Sequence, residues 1–90
     1  MLARDGKERV PELSEVTVFS TTWCGHCIRL KRQMAESGIS FDEVDIEEHE
    51  QYGDQIAAQT GGYRTVPTVR VGGQLLVNPS IIEVKDALAA

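Results

Sequence analysis

Apolar and polar residues alternate along this chain with two different periods, and the switches between them mark its elements. Val16, Thr17, Val18 and Phe19 are β-branched or aromatic and predict a short strand. Residues 20–23 read as a loop. From Cys24 or Gly25 to about Ser37, the residues Cys27, Leu30 and Met34 fall at i, i+3 and i+7, giving a predicted helix one apolar face. Gly38 suits its C-terminal stop. Over 41–46, Phe41, Val44 and Ile46 alternate with acids and predict a second strand. Residues 47 to about 60 predict a second helix, with acids in its first turn at the positive end of the dipole. Gly61-Gly62 ends it. Residues 65–71 predict a third strand, interrupted near its start by Pro67. Gly72-Gly73 is a two-glycine hairpin turn, and 74–77 is the returning antiparallel strand. Asn78-Pro79-Ser80 opens a last helix, about 80–88, with Ile81, Val84 and Leu88 on one face.

The predicted order is β-α-β-α-β-β-α. Its two strand–helix–strand steps imply parallel pairing through right-handed crossovers, and the hairpin adds an antiparallel edge. The expected fold class is therefore α/β, a four-stranded mixed sheet with helices covering both faces. Ninety residues suffice for one domain with one modest core. Residues 1–13 carry Arg4, Asp5, Lys7, Glu8, Arg9 and Glu12 and read as a polar extension closed by Pro11. Residues 14–90 read as the domain itself.

Composition removes several function classes. Nine bases against 14 acids leave a net charge of −5, which argues against general nucleic-acid binding. No apolar run approaches the ~20 residues that span a bilayer, and the N-terminus has no signal-type apolar stretch. The expectation is a cytoplasmic protein that does not enter membranes. The acids are unevenly placed: Asp42, Glu43, Asp45, Glu47, Glu48, Glu50 and Asp54 follow one another with no Lys or Arg between. Arg29, Lys31 and Arg32 form a small basic cluster. Both patches read as solvated surface.

The candidate chemistry lies in the two cysteines, Cys24 and Cys27. A bond between residues so close in sequence removes little unfolded-chain entropy, so the pair is a poor structural staple. Redox exchange or metal binding explains it better, although beyond the two thiols only His26 and His49 are available against the four ligands zinc needs. Cys-x-x-Cys after a strand and at the mouth of a helix is a redox signal. Disulfide exchange needs a thiolate. Cys24 occupies the helix N-terminus, where free amides and the dipole favour an anion, so it is expected to attack. Cys27, one turn inside, is expected to stay a thiol until it resolves a mixed disulfide on Cys24. His26 either supports the thiolate as an imidazolium or points to solvent. Pro67, in Thr65-Val66-Pro67, is placed either as a cis proline that presents the Val66 backbone beside Cys24 or as an ordinary trans proline at a strand entry.

These residues resemble the glutaredoxin family over 16–88. The resemblance is carried by Val18-Phe19-Ser20 leading to Thr22-Trp23-Cys24, by Thr65-Val66-Pro67-Thr68-Val69 and by Gly72-Gly73. Within the family, Trp23-Cys24-Gly25-His26-Cys27-Ile28-Arg29-Leu30-Lys31 and Gly61-Gly62-Tyr63-Arg64-Thr65-Val66-Pro67 resemble the mycoredoxin group. So do Asp42-Glu43-Val44-Asp45-Ile46-Glu47 and Asn78-Pro79-Ser80. The resemblance implies a thioredoxin-like fold and a thiol–disulfide oxidoreductase with a redox-active Cys24–Cys27 pair. It implies no tightly bound cofactor, mycothiol as co-substrate, and mycothiolated or disulfide-bonded proteins as partners. A separate mycothiol disulfide reductase would serve it indirectly, and the expected state is monomeric. Glutathione-using relatives usually carry Lys where Thr21 stands, and a Gly-Gly-x-Asp-like segment where Asn78-Pro79-Ser80 stands. Both features that handle the anionic ends of glutathione are absent. The expected thiol-binding surface is Thr21, Trp23, Arg64, Thr65, Val66, Pro67, Asn78 and Ser80. In it, Trp23 supplies an apolar face, Arg64 a donor fork, and Asn78 with the amides near Ser80 partners for sugar hydroxyls. A thioredoxin-like general protein disulfide reductase and an iron–sulfur carrier of glutaredoxin type stand as alternatives.

Overall fold

The computed structural model describes residues 15–89. The expected extension at 1–13 lies outside the described residues. The elements are β1 (Val16–Ser20), α1 (Gly25–Glu36), β2 (Asp42–Asp45), α2 (Glu50–Thr60), β3 (Thr68–Val71), β4 (Gln74–Val77) and α3 (Ile81–Ala89). The sheet order is β2-β1-β3-β4.

All five residues of β1 are buried, because it lies inside the sheet with helices on both faces. Its alternate side chains feed two cores. Val16 and Val18 pack with Leu30 and Met34 of α1, Val69 and Val71 of β3 and Val84 of α3. Phe19 packs on the opposite face with Val44, Ile46, Tyr52 and Ile56. One strand thus carries both halves of the hydrophobic stabilisation, about 1.5–3 kcal/mol for each fully buried large apolar side chain.

The stripe Cys27, Leu30, Met34 is the buried face of α1, as its spacing predicts. The helix stops where Gly38 takes φ 77°: Gly38 donates to the Ala35 carbonyl at 3.1 Å and Ile39 to the Met34 carbonyl at 3.0 Å. This pair of bonds satisfies the last carbonyls and requires a left-handed residue, which glycine adopts without penalty.

Three boundaries and one strand direction differ notably from the sequence reading. The second strand is shorter at both ends than 41–46. α2 begins at Glu50 rather than 47, because a turn built on Asp45 takes the intervening amides. The Asp45 side chain accepts from Glu47 N–H at 2.8 Å, and its carbonyl accepts from Glu48 and His49 at 3.1 Å. The third strand begins at Thr68, not 65, since the chain before it bends at Val66-Pro67 and Pro67 has no N–H for a ladder. The fourth difference is one of direction. β1 and β2 are parallel, as the first strand–helix–strand step predicts, but β3 runs antiparallel to β1. Thr68, the first residue of β3, lies opposite Phe19, near the end of β1. After α2, segment 61–67 therefore delivers the chain to the same end of the sheet that β1 has just left, rather than completing a second crossover. β4 then pairs antiparallel with β3, Thr68 opposite Val77.

Candidate active site

That reversal assembles the site. The end of β1, the start of β3 and the end of β4 share one end of the sheet, and the loops leaving them meet there. Asn78 N–H donates to the Pro67 carbonyl at 2.8 Å, tying the third loop to the second. Cys24 Sγ lies 4.0 Å from the Val66 carbonyl oxygen, tying the second to the first. The Val66–Pro67 peptide bond is cis.

Cys24 is the N-cap of α1, with extended backbone (φ −87°, ψ 110°). Caps are usually Ser, Thr, Asp or Asn, whose oxygen accepts an early helix amide. Here sulfur takes that place and accepts the Cys27 N–H at 3.1 Å. A donor aimed at sulfur near the positive end of a helix is the arrangement a thiolate accepts. Both cysteines are buried, Cys24 at 8% exposure and Cys27 fully enclosed at 0%. Both are free thiols. Burial, reinforced by a hydrogen bond to the Cys24 sulfur, pushes the Cys27 thiol up to about 12, while a backbone hydrogen bond from Thr21 and the charge of Lys31 pull the other way. The two sulfurs are therefore inequivalent: one caps a helix, the other is fully enclosed one turn inside.

The remaining site residues fall into two groups. Trp23 is 69% exposed, and its indole Nε1 donates to Glu47 at 3.0 Å, so its ring stands at the rim beside Cys24. Val66 and Asn78 belong to the converging loops, Asn78 with φ 53°, and the Thr65 carbonyl accepts from the Thr68 hydroxyl at 2.7 Å. The others are committed elsewhere. Thr21, expected on the ligand surface, is only 4% exposed; its carbonyl accepts from Cys24 N–H at 3.5 Å, and its side chain is enclosed. Arg64 is exposed but donates to Asp54 of α2, with its aliphatic stem lying over Gly53. Ser80 uses both its groups in a reciprocal cap: its hydroxyl accepts from Glu83 N–H at 3.1 Å, and its own N–H donates to the Glu83 carboxylate at 2.8 Å. Of the amides near Ser80 expected to meet sugar hydroxyls, that of Ser80 itself is occupied by Glu83. His26 Nδ1 lies 2.9 Å from the Arg29 guanidinium. Arginine only donates, so Nδ1 is the acceptor of that contact.

Glu47, Asp54, Arg29 and Glu83 escaped the sequence reading of the site. Each fixes the orientation of a site residue. Only the Ser80-x-x-Glu83 spacing, a capping box, carried a signal in the sequence.

A cysteine capping a helix, a fully enclosed partner one turn on and a backbone carbonyl facing the first sulfur define a thiol–disulfide oxidoreductase of thioredoxin-like fold. The comparisons narrow the class. The family described as glutaredoxin matches residues 16–76. A glutaredoxin-family protein of Mycobacterium tuberculosis is 45% identical over 74 residues, covering 81% of this chain and 88% of that protein. Mycoredoxin 1 of Corynebacterium glutamicum is 34% identical over 73 residues, covering 80% of this chain and 90% of that protein. Among solved structures, a buckwheat glutaredoxin–glutathione complex is similar with a TM-score of 0.66 at 27% identity, covering 83% of this chain and 73% of that one. A glutaredoxin from Archaeoglobus fulgidus, at 20% identity, shares the fold with a TM-score of 0.75 over 96% of this chain and 100% of that one. The chain belongs to the glutaredoxin family, and within it resembles mycoredoxin.

Proposed function

We propose that this glutaredoxin-family oxidoreductase reduces mixed disulfides between mycothiol and protein cysteines. The observation that carries the chemistry is the Cys24 sulfur in the N-cap position, accepting the Cys27 amide at 3.1 Å. The choice of thiol is supported by the 34% identity to Mycoredoxin 1 and by the residues present. Thr21 is buried where glutathione-using relatives usually carry Lys, and Ser80 is a helix cap rather than a carboxylate-binding Asp segment. Mycothiol has a sugar–inositol body and no comparable pair of carboxylates, so it has no need of those features.

In the first step the Cys24 thiolate attacks the mycothiol sulfur of the mixed disulfide. The bond between mycothiol and the protein cysteine breaks, and the protein thiolate leaves with the bonding pair and takes up a proton. A second mycothiol, as thiolate, then attacks the sulfur of the mycothiol held on Cys24. Mycothiol disulfide forms and Cys24 is regenerated, so the mixed disulfide gains two electrons that the two mycothiols lose. A separate reductase recycles the mycothiol disulfide. In a second branch Cys27 displaces the ligand and closes an internal disulfide, which serves reduction of protein disulfides. The Val66 carbonyl facing Cys24 supports pairing of this backbone with the cysteinyl part of the ligand, as an added strand would pair. Such exchange belongs to a compartment that keeps small thiols reduced, the cytoplasm.

The test is turnover of a model mixed disulfide coupled in parallel to mycothiol, glutathione and thioredoxin-reductase systems. The mycothiol system is expected to be fastest. Cys24→Ser is expected to abolish turnover in all three, and Cys27→Ser to retain the mycothiol-dependent branch. Faster turnover with glutathione sinks the assignment of the thiol; a Cys27→Ser variant as dead as Cys24→Ser sinks the single-cysteine cycle.

A further inference from the structure

The run of acids from Asp42 to Asp54 reads in the sequence as solvated surface, but the fold directs several of its carboxylates to the functional end of the sheet. Glu43 accepts from the hydroxyl of buried Ser20 at 2.8 Å, at the end of β1. Asp45 accepts the Glu47 N–H at 2.8 Å and fixes the turn that follows β2. Glu47 in turn accepts from the Trp23 indole Nε1 at 3.0 Å, across 24 residues of sequence. The register explains the meeting. Asp45 lies opposite Ser20, so the turn after β2 stands beside the loop that leads from β1 to Cys24.

The Trp23–Glu47 contact contributes little to holding the fold together. Both side chains are exposed, Trp23 at 69%, and neither belongs to the two apolar cores. An exposed indole can satisfy its N–H with water, and holding two side chains in one geometry costs rotamer freedom. What the bond does fix is the position of the ring. Trp23 directly precedes Cys24, the residue whose sulfur is to meet the substrate. A disulfide has to align with that sulfur for in-line exchange, and a ring already held in place does not have to be ordered during the encounter.

We propose that Glu47 is a positioning residue for the capture step: its carboxylate holds the Trp23 ring as a fixed apolar wall beside Cys24, against which the incoming disulfide aligns. The inference rests on the exchange reading of Cys24 but not on mycothiol as the thiol. In the step concerned, the Cys24 thiolate attacks one sulfur of the disulfide and bonds to it. The disulfide bond breaks, and the other half leaves as thiolate with the bonding pair and takes up a proton. Glu47 takes no part in these bond changes and acts only through Trp23.

Trp23 is the one tryptophan of the chain, so tryptophan fluorescence reports its side chain alone. In Glu47→Ala, time-resolved anisotropy is expected to gain a fast component as the ring is released. Glu47→Gln, whose amide oxygen still accepts from the indole, should gain much less. Capture is followed by mixing reduced protein with excess hydroxyethyl disulfide, quenching in acid, alkylating and weighing by mass spectrometry. The adduct on Cys24 and the internal disulfide formed from it are counted together. The capture rate should fall about fivefold in Glu47→Ala, the loss of one exposed hydrogen bond. In Glu47→Gln it should stay within about twofold of the unaltered protein. In a Trp23→Ala background Glu47→Ala should bring no further loss, because the ring it holds is gone. Equal losses in the two backgrounds overturn the proposal, since Glu47 would then act by another route. So does a Glu47→Gln variant as slow as Glu47→Ala, or slow capture without the fast ring motion. Capture at the same rate with and without the Glu47 carboxylate removes the role of Glu47 and leaves the exchange reading standing. No adduct on Cys24 in the unaltered protein would refute the exchange reading, and the proposal with it.

Discussion

Alkaline pH should destabilise this fold through one buried thiol, and the size of the effect follows from the structure. Cys27 is fully enclosed, and its thiol is pushed up from 9.0 to about 12, with burial the largest cause. In the unfolded chain the same thiol ionises near its ordinary value. The folded state thus holds a proton that the unfolded state gives up, and stability falls as pH rises between the two values. The contribution is complete below about pH 9 and is lost progressively toward the folded value, by about 1.4 kcal/mol for each pH unit. Integrated from neutral pH to about pH 10, the loss is about 1.4 kcal/mol. Any folded value above about 11 gives nearly the same loss, so the prediction does not depend on the last unit of the shift. The assay is urea unfolding of Cys24→Ser beside Cys24→Ser/Cys27→Ser, from pH 7 to about pH 10. The Cys24→Ser background prevents internal disulfide formation and leaves burial in place, and the two proteins differ only at position 27. The protein that keeps Cys27 should lose about 1.4 kcal/mol more than its partner over this range. A gap between the two that stays constant with pH refutes the reasoning, since Cys27 would then ionise as readily in the fold as in the open chain.

Two further outcomes follow from side chains around the site. Burial disfavours the charged form of Glu43, but hydrogen bonds from Lys31 and Ser20 and the lysine's charge outweigh it and hold the carboxyl below its ordinary range. Its contribution is present above the ordinary carboxylate value and is lost as pH falls through the lowered one; Glu43→Gln should therefore show a flatter acid limb in thermal unfolding, and parallel curves would show that the pair contributes nothing. Ser80→Ala removes one half of the reciprocal cap of α3, whose Val84 lies in the core, and should cost about 1 kcal/mol in urea unfolding. A double variant with Glu83→Ala should cost less than the sum of the two single ones, because the bonds are reciprocal; strict additivity would show that they act independently.

Whatever is decided within a few residues could be read from the chain directly. The spacing of Cys27, Leu30 and Met34 specifies the buried face of α1, Gly38 its end and Gly72-Gly73 the hairpin, because periodicity and left-handed φ are local requirements. The same holds for Cys24 at the helix mouth, where the strand before it and the helix after it are each self-evident. The direction of β3 was not readable in this way. Residues 61–67 permit either a full crossover or a return to the near end, and only packing against β1 selects the antiparallel register that brings Val66 to Cys24. The start of α2 escaped for a related reason: Asp45 has to finish a strand beside Ser20 before its side chain can take the Glu47 amide. Thr21 shows the limit most clearly. Its place before Cys24 suggests a ligand contact, but whether a threonine faces solvent or the interior depends on what closes over it. Here the fold encloses it, and its backbone carbonyl, not its side chain, meets Cys24. Local pattern thus specifies which residues can carry the chemistry, whereas burial and long-range register, which are sums over contacts distant in sequence, decide what each of them does.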